Sequence, residues 1–221
     1  MDRLYDDGAV GSRELMRWDM DVLPRDRELL SRDIDSIDLD ETVVGLVEFV
    51  RSVGGAVEVV SDGIGVHIEP MLARLGLEDV PVATNRAILG RGGDGVSFPY
   101  GNDACFVCGT CKRERVRLHQ DAGRVVVFVG DGTSDRYAAH HADVVFAKDA
   151  LATWCEEASV PWKPWQHLSD VSAWLGDELR AGRLPGDSMA FEAWVVDHRS
   201  ETTFICGPEA WPPSRLGSPG D

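Results

Sequence analysis

Positive charge is scarce in this chain. Twenty-two lysines and arginines stand against 38 aspartates and glutamates, giving a formal charge of −16 and a pI near 4.7. The lysines are Lys112, Lys148 and Lys163 only. Such a surface repels nucleic acid and anionic lipid, so neither is an expected partner. It also repels a phosphorylated ligand, so any anion site needs a local positive field. Long apolar runs are missing too. No stretch of about 18 apolar residues occurs, which excludes a conventional membrane-spanning helix. The first ten residues are acidic and polar, unlike a secretory signal, and a cytoplasmic location is the expectation. Five cysteines, an odd number, argue for reduced thiols or a metal rather than a disulfide framework. No internal repeat is found.

What is present suffices for a core: 221 residues, 43% of them hydrophobic, fit one domain plus an extra segment. The chain is organised around Val125–Val129, an apolar run that reads as a strand buried on both faces, as in a parallel sheet. Residues 1–40 read as short acidic helices, with Ser12 as an N-cap and Pro24 as a break. Residues 41–53 form an amphipathic helix that Gly54-Gly55 ends. Ala56–Val60 is a strand closed by Ser61-Asp62-Gly63, followed by a helix over 64–75 and a strand within 80–89. Residues 90–111 read as a Gly-, Asn- and Asp-rich loop, a length that is usually functional or tied down. A basic helix from Lys112 to His119 feeds the central strand. A helix (135–140), a strand (144–147) and helices over 150–158 and 170–179 follow. The α-β-α-β alternation predicts an α/β fold: a Rossmann-like parallel sheet with helices on both faces. The expected organisation is a helical segment at 1–40, an α/β core at 41–182 and a low-order tail at 183–221, with a short element at 189–196 as an option.

Four places carry candidate chemistry. Gly130 and Gly132 turn the chain after the central strand, leaving Asp131 at its carboxyl end and Asp135 at the start of a helix. Ligands in open α/β sheets bind at that edge, and a hard cation such as Mg²⁺ prefers carboxylate oxygens there. The plain structural alternative is an Asx turn with Asp135 complementing a helix dipole. Ser61 and Lys112 stand at other strand and helix ends; alone, Ser61 is more often a turn residue and Lys112 more often a solvated first-turn lysine. Cys105-x-x-Cys108-x-x-Cys111 offers three thiols for structural Zn²⁺, with His119, His140, His141 or Cys155 as a fourth ligand. Free thiols buried in a loop are the alternative, and Cys206 has no assigned role.

Four stretches in this order resemble the haloacid-dehalogenase-like phosphatases, in the phosphoserine-phosphatase-like branch: Val59-Val60-Ser61-Asp62-Gly63; Phe98-Pro99 with the cysteines through Cys111-Lys112-Arg113-Glu114-Arg115; Gly130-Asp131-Gly132-Thr133-Ser134-Asp135; and Ala142–Lys148. The resemblance spans roughly residues 40–175. It implies a Mg²⁺-dependent phosphomonoesterase acting on a small phosphorylated metabolite, with residues 1–40 a remnant of a helical cap. It implies that Ser61, with Asp62 and Gly63, hydrogen-bonds phosphate, that Lys112 neutralises charge, that Asp131 ligates Mg²⁺ and that Asp135 supports the metal or its waters. The family's nucleophile is an aspartate in a DxDGT motif ending the first strand. No such motif is found here. Asp38-Leu39-Asp40-Glu41-Thr42 has DxDxT form, but Arg32–Ile37 before it carries charges that a central buried strand would have to bury, so it is expected to be a helix N-terminus. The expectation is therefore an amino-terminally shortened form of a longer gene product. The alternative is a catalytically inactive relative that binds a phosphate or a partner.

Overall fold

The computed structural model describes residues 4–5, 10–24, 26–89, 95–102 and 107–184. Cys105, the option at 189–196, Cys206 and nearly all of the expected tail lie outside the described residues. The described residues divide into two compact units. One is drawn from the chain up to Leu39 and from Glu58–Cys111, the other from Asp40–Val57 and the chain from Lys112 on.

The first unit holds α1 (Ser12–Val22), α2 (Arg27–Asp35), β1 (Val59–Ile64), α4 (Ile68–Arg74), β2 (Val82–Ile88) and β3 (Gly95–Ser97). Its three strands lie in the order β1-β2-β3, the first pair parallel and the second antiparallel. Leu15, Met16 and Met20 share one stripe of α1 and pack on Ile64, Ala87, Val96 and Phe98. Asp26 caps α2 by accepting from the Glu28 and Leu29 amides. At the other end of α2, Arg74 of α4 donates to the carbonyls of Ile34 and Ile37, satisfying backbone acceptors that a helix end leaves open.

The second unit holds α3 (Thr42–Ser52), α5 (Lys112–Asp121), β4 (Val127–Gly130), a 3₁₀ turn at Thr133–Asp135, α6 (Arg136–Ala139), β5 (Val144–Ala147), α7 (Asp149–Glu157), β6 (Lys163–Pro164) and α8 (Leu168–Arg180). Its sheet is wholly parallel, in the order β4-β5-β6. The alternation of side chains along a strand divides its two faces. Val127, Val129, Val144 and Phe146 meet Leu46 of α3 and Val171 and Trp174 of α8. Phe128, Val145 and Ala147 meet Ala139 of α6 and Leu151 and Cys155 of α7. Helices thus cover both faces, as the alternation of apolar segments predicted.

Several local expectations are corrected. Ser12 does not cap α1: the N-cap is Gly11, and the buried Ser12 hydroxyl donates to the Val107 carbonyl and accepts from the Gly109 amide. β1 begins at Val59, not Ala56, because its partner begins only after Pro81, whose carbonyl accepts the Val59 amide. Ser61-Asp62-Gly63 lies within β1 instead of closing it. The region 90–111 is not all loop, since Gly95–Ser97 pairs with Arg86–Ile88 as β3. Both β3 and β6 are too short to show a period in sequence.

Candidate functional site

The end of β4 is built by one carboxylate. Asp135, buried at 5% exposure, turns its Oδ2 back to accept the amides of Asp131 (3.0 Å) and Gly132 (2.9 Å). Its Oδ1 accepts from the Lys112 Nζ at 2.6 Å. The loop closes so tightly that a Cβ on Gly130 would sit 2.6 Å from Asp135 Oδ2, so only glycine fits there. Two further bonds hold the same turn. The Leu151 amide, in the first turn of α7, donates to the Asp131 carbonyl at 3.0 Å, and the Trp165 indole donates to the Gly130 carbonyl at 3.2 Å.

Lys112 occupies the first position of α5, where a cation opposes the helix dipole. The opposition is offset by Asp135 and by the Ser134 hydroxyl oxygen, 2.8 Å from the Nζ. Lys112 is largely buried, with a side chain 10% exposed. A cation is thus held at a helix start, against the dipole, by a buried carboxylate. Asp131 differs from Asp135. Its backbone is pinned on both sides, yet it is exposed, and its carboxylate has no hydrogen-bond partner among the described residues. The turn therefore separates the two aspartates: Asp135 organises the loop and the lysine, and Asp131 offers free oxygens. These fit a hard cation, which takes one or two carboxylates and fills its other positions with water.

In the first unit, Ser61 is half-buried in β1, and its Oγ accepts the Gly63 amide at 3.2 Å. The Asp62 carboxylate turns inward. It accepts the Thr110 amide at 2.7 Å and is 7% exposed, so it is occupied with structure rather than open to a ligand. The Gly63 carbonyl accepts the Thr84 hydroxyl at 3.0 Å. Asn85 and Thr110, which no sequence motif marks, surround this turn. The one sequence signal for Asn85 was an amide residue inside an otherwise strand-like run, where asparagine is depleted.

Asp38 lies in irregular chain, and among the described residues no strand precedes β1. Asp40 accepts from the amide of Thr42 at 3.0 Å and from that of Leu168 at 2.8 Å, so one carboxylate serves the starts of α3 and α8. Burial acts to raise its pKa, but bonds from Thr42 and Leu168, with the nearby His167, outweigh this and hold it below the usual carboxylate value. The DxDxT-like stretch is a helix start, as expected.

Among the thiols, Cys108 is half-buried and Cys111 buried, and neither is in a disulfide. Among the described residues no group of three or more Cys, His, Asp and Glu side chains is arranged to hold a metal ion. Cys155 is buried between α7 and the sheet, and burial pushes its thiol pKa up. His140 packs edge-on against His141 and Trp154, and burial lowers its pKa.

No protein-family model matches the chain. A curated relative from Brevibacillus brevis, named 2-hydroxy-3-keto-5-methylthiopentenyl-1-phosphate phosphatase, is 30% identical over 149 residues, 64% of this chain and 67% of the relative. The chain belongs to the haloacid-dehalogenase-like phosphatases. Proteins of the same name from Bacillus velezensis (28% identical over 151 residues; 63% of this chain, 64% of the relative) and Exiguobacterium sibiricum (30% over 128 residues; 57% and 58%) are also similar to this haloacid-dehalogenase-like chain. It spans about three fifths of the length of these last two. A solved phosphoserine phosphatase from T. onnurineus, in complex with NDSB-201, is 18% identical with a TM-score of 0.48, covering 73% of this haloacid-dehalogenase-like chain and 68% of that one. No helix among the described residues is long and apolar enough to cross a membrane.

Proposed function

We propose that this chain carries the phosphate-gripping and magnesium-holding parts of a phosphomonoesterase that acts on a small phosphorylated metabolite. The observation that carries the reading is the Asp131–Asp135 turn, in which one buried carboxylate fixes both the Lys112 ammonium and the backbone beneath a free Asp131 carboxylate. Lys112, one of only three lysines, offers charge to phosphoryl oxygens, and Ser61 offers a hydroxyl proton. Asp131 would hold Mg²⁺, with Asp135 behind it; the ion's chemistry is to neutralise charge on a phosphoryl group. Because the Lys112 ammonium is held by Asp135 and Ser134 before a ligand arrives, it needs no reorganisation when charge develops. The name these relatives share makes a phosphorylated, methylthio-bearing keto compound the first substrate to test. If the chain turns over p-nitrophenyl phosphate, a step for which it would need the nucleophile not found in its sequence, the hydrolysis is expected to require Mg²⁺ and to disappear in Asp131→Asn with unchanged thermal unfolding. Hydrolysis that persists in Asp131→Asn refutes the metal assignment.

A second reading has one observation in its favour: Asp40 is engaged in helix starts and Asp38 stands outside any strand among the described residues, which argues against the DxDxT-like stretch as the source of a nucleophile. In that reading the chain binds a phosphate or a partner without turnover. Phosphate binding with no hydrolysis at any Mg²⁺ concentration would select it.

A further inference from the structure

The β1–β2 ladder breaks at the candidate phosphate turn. Val59 pairs with Val82 and Val60 with Ala83, but the next pair is Ile64 with Asn85. Four residues of β1 thus advance against two of β2, and Ser61-Asp62-Gly63 bulges from the ladder. Bulged carbonyls lose their regular partners, and the side chains of β2 replace them. Asn85 Nδ2 donates to the Asp62 carbonyl at 2.8 Å, and the Thr84 hydroxyl donates to the Gly63 carbonyl. Asn85 is itself enclosed. It is 0% exposed, and its Oδ1 accepts the Thr110 hydroxyl at 3.1 Å, while the Thr110 amide holds the Asp62 carboxylate. The Gly109 backbone lies directly against the amide, since a Cβ there would come 2.5 Å from Asn85 Nδ2. Buried polar side chains of this kind are rigid because an unmade bond is costly. At the crest of the bulge, the Ser61 Oγ already accepts the Gly63 amide, and its proton has no acceptor among the described residues.

We propose that Asn85 is a positioning residue, which, oriented by Thr110, holds the Ser61–Gly63 bulge in the shape that presents the Ser61 hydroxyl to a phosphoryl oxygen. This rests on the reading above that Ser61 contacts phosphate. The test is calorimetric titration of inorganic phosphate, with Mg²⁺, into the full chain. Ser61→Ala and Asn85→Ala are each expected to weaken binding about tenfold, the worth of one hydrogen bond. The double variant Ser61→Ala/Asn85→Ala is expected to bind no more weakly than Ser61→Ala alone, a non-additivity that a general loss of stability does not produce. Where Asn85→Ala fails to fold, Thr110→Val keeps the buried shape and is expected to show the same non-additivity, with Thr110→Ser restoring affinity. Effects of Ser61 and Asn85, or of Ser61 and Thr110, that multiply overturn the inference and leave the Ser61 reading standing. Ser61→Ala with full phosphate affinity overturns the Ser61 reading and this inference with it.

Discussion

Replacing Asp135 by asparagine should cost this protein much more than replacing its partner Lys112 by methionine. Asp135 makes three contacts that an asparagine side chain could not all keep: two backbone amides on Oδ2 and the Lys112 ammonium on Oδ1. The carboxamide retains one oxygen for the backbone and points an NH₂ at the ammonium, so two donors face each other. Lys112 is then a buried cation with its carboxylate gone, a situation that costs about 3–5 kcal/mol. Lys112→Met instead removes the cation and leaves Asp135 with its two amide donors. Its cost is one charge-assisted hydrogen bond, about 1.5–3 kcal/mol. In the double variant no stranded ammonium remains, so the losses should sum to less than the singles by about 2 kcal/mol. Equilibrium urea unfolding followed by circular dichroism measures all three, provided the slopes agree and the transition is single. Equal single losses that simply add would refute the coupling, and with it the claim that Asp135 is what holds the lysine.

Two further outcomes follow from the geometry. Gly130→Ala drives a Cβ to 2.6 Å from Asp135 Oδ2, whereas Gly132→Ala meets the same atom at 3.8 Å, so the first should lower stability by about 1–3 kcal/mol and the second by much less; thermal unfolding compares them, and equal losses contradict the tight turn. The pH dependence has a definite sign. His67 and His140 are held below the ordinary histidine value of 6.5 by burial, so the stability they contribute is present above that pH and is lost as pH falls through their folded-state values. Asp40, also depressed, keeps its contribution above the ordinary aspartate value of 3.8 and loses it only below that. Urea midpoints should therefore decline first below pH 6.5 and again in strong acid, and removing the two histidines as His67→Gln and His140→Gln should flatten the first decline but not the second.

Local chemistry was readable in the residues alone. A run of valines ending in Gly-Asp-Gly, with an aspartate four residues on, specifies strand, turn and helix start within one short segment, because backbone sterics and nearby hydrogen bonds act over a few residues. The boundaries of α3, β5 and α8 were close for the same reason: each has its own apolar period. The demotion of Asp38–Thr42 was also legible, since charged neighbours rule out a buried strand. Folding alone supplied the rest. No local signal says that Asp40 will meet the Leu168 amide 128 residues away, or that Thr110 will reach Asn85 across 25. Nor could β1's true start be found without its partner, because a strand exists only where another strand takes its hydrogen bonds. Asp131 and Asp135 are the sharpest instance. As letters they are two equal carboxylates in a metal-like motif, and burial with a lysine and two amides makes one the frame while the other stays exposed.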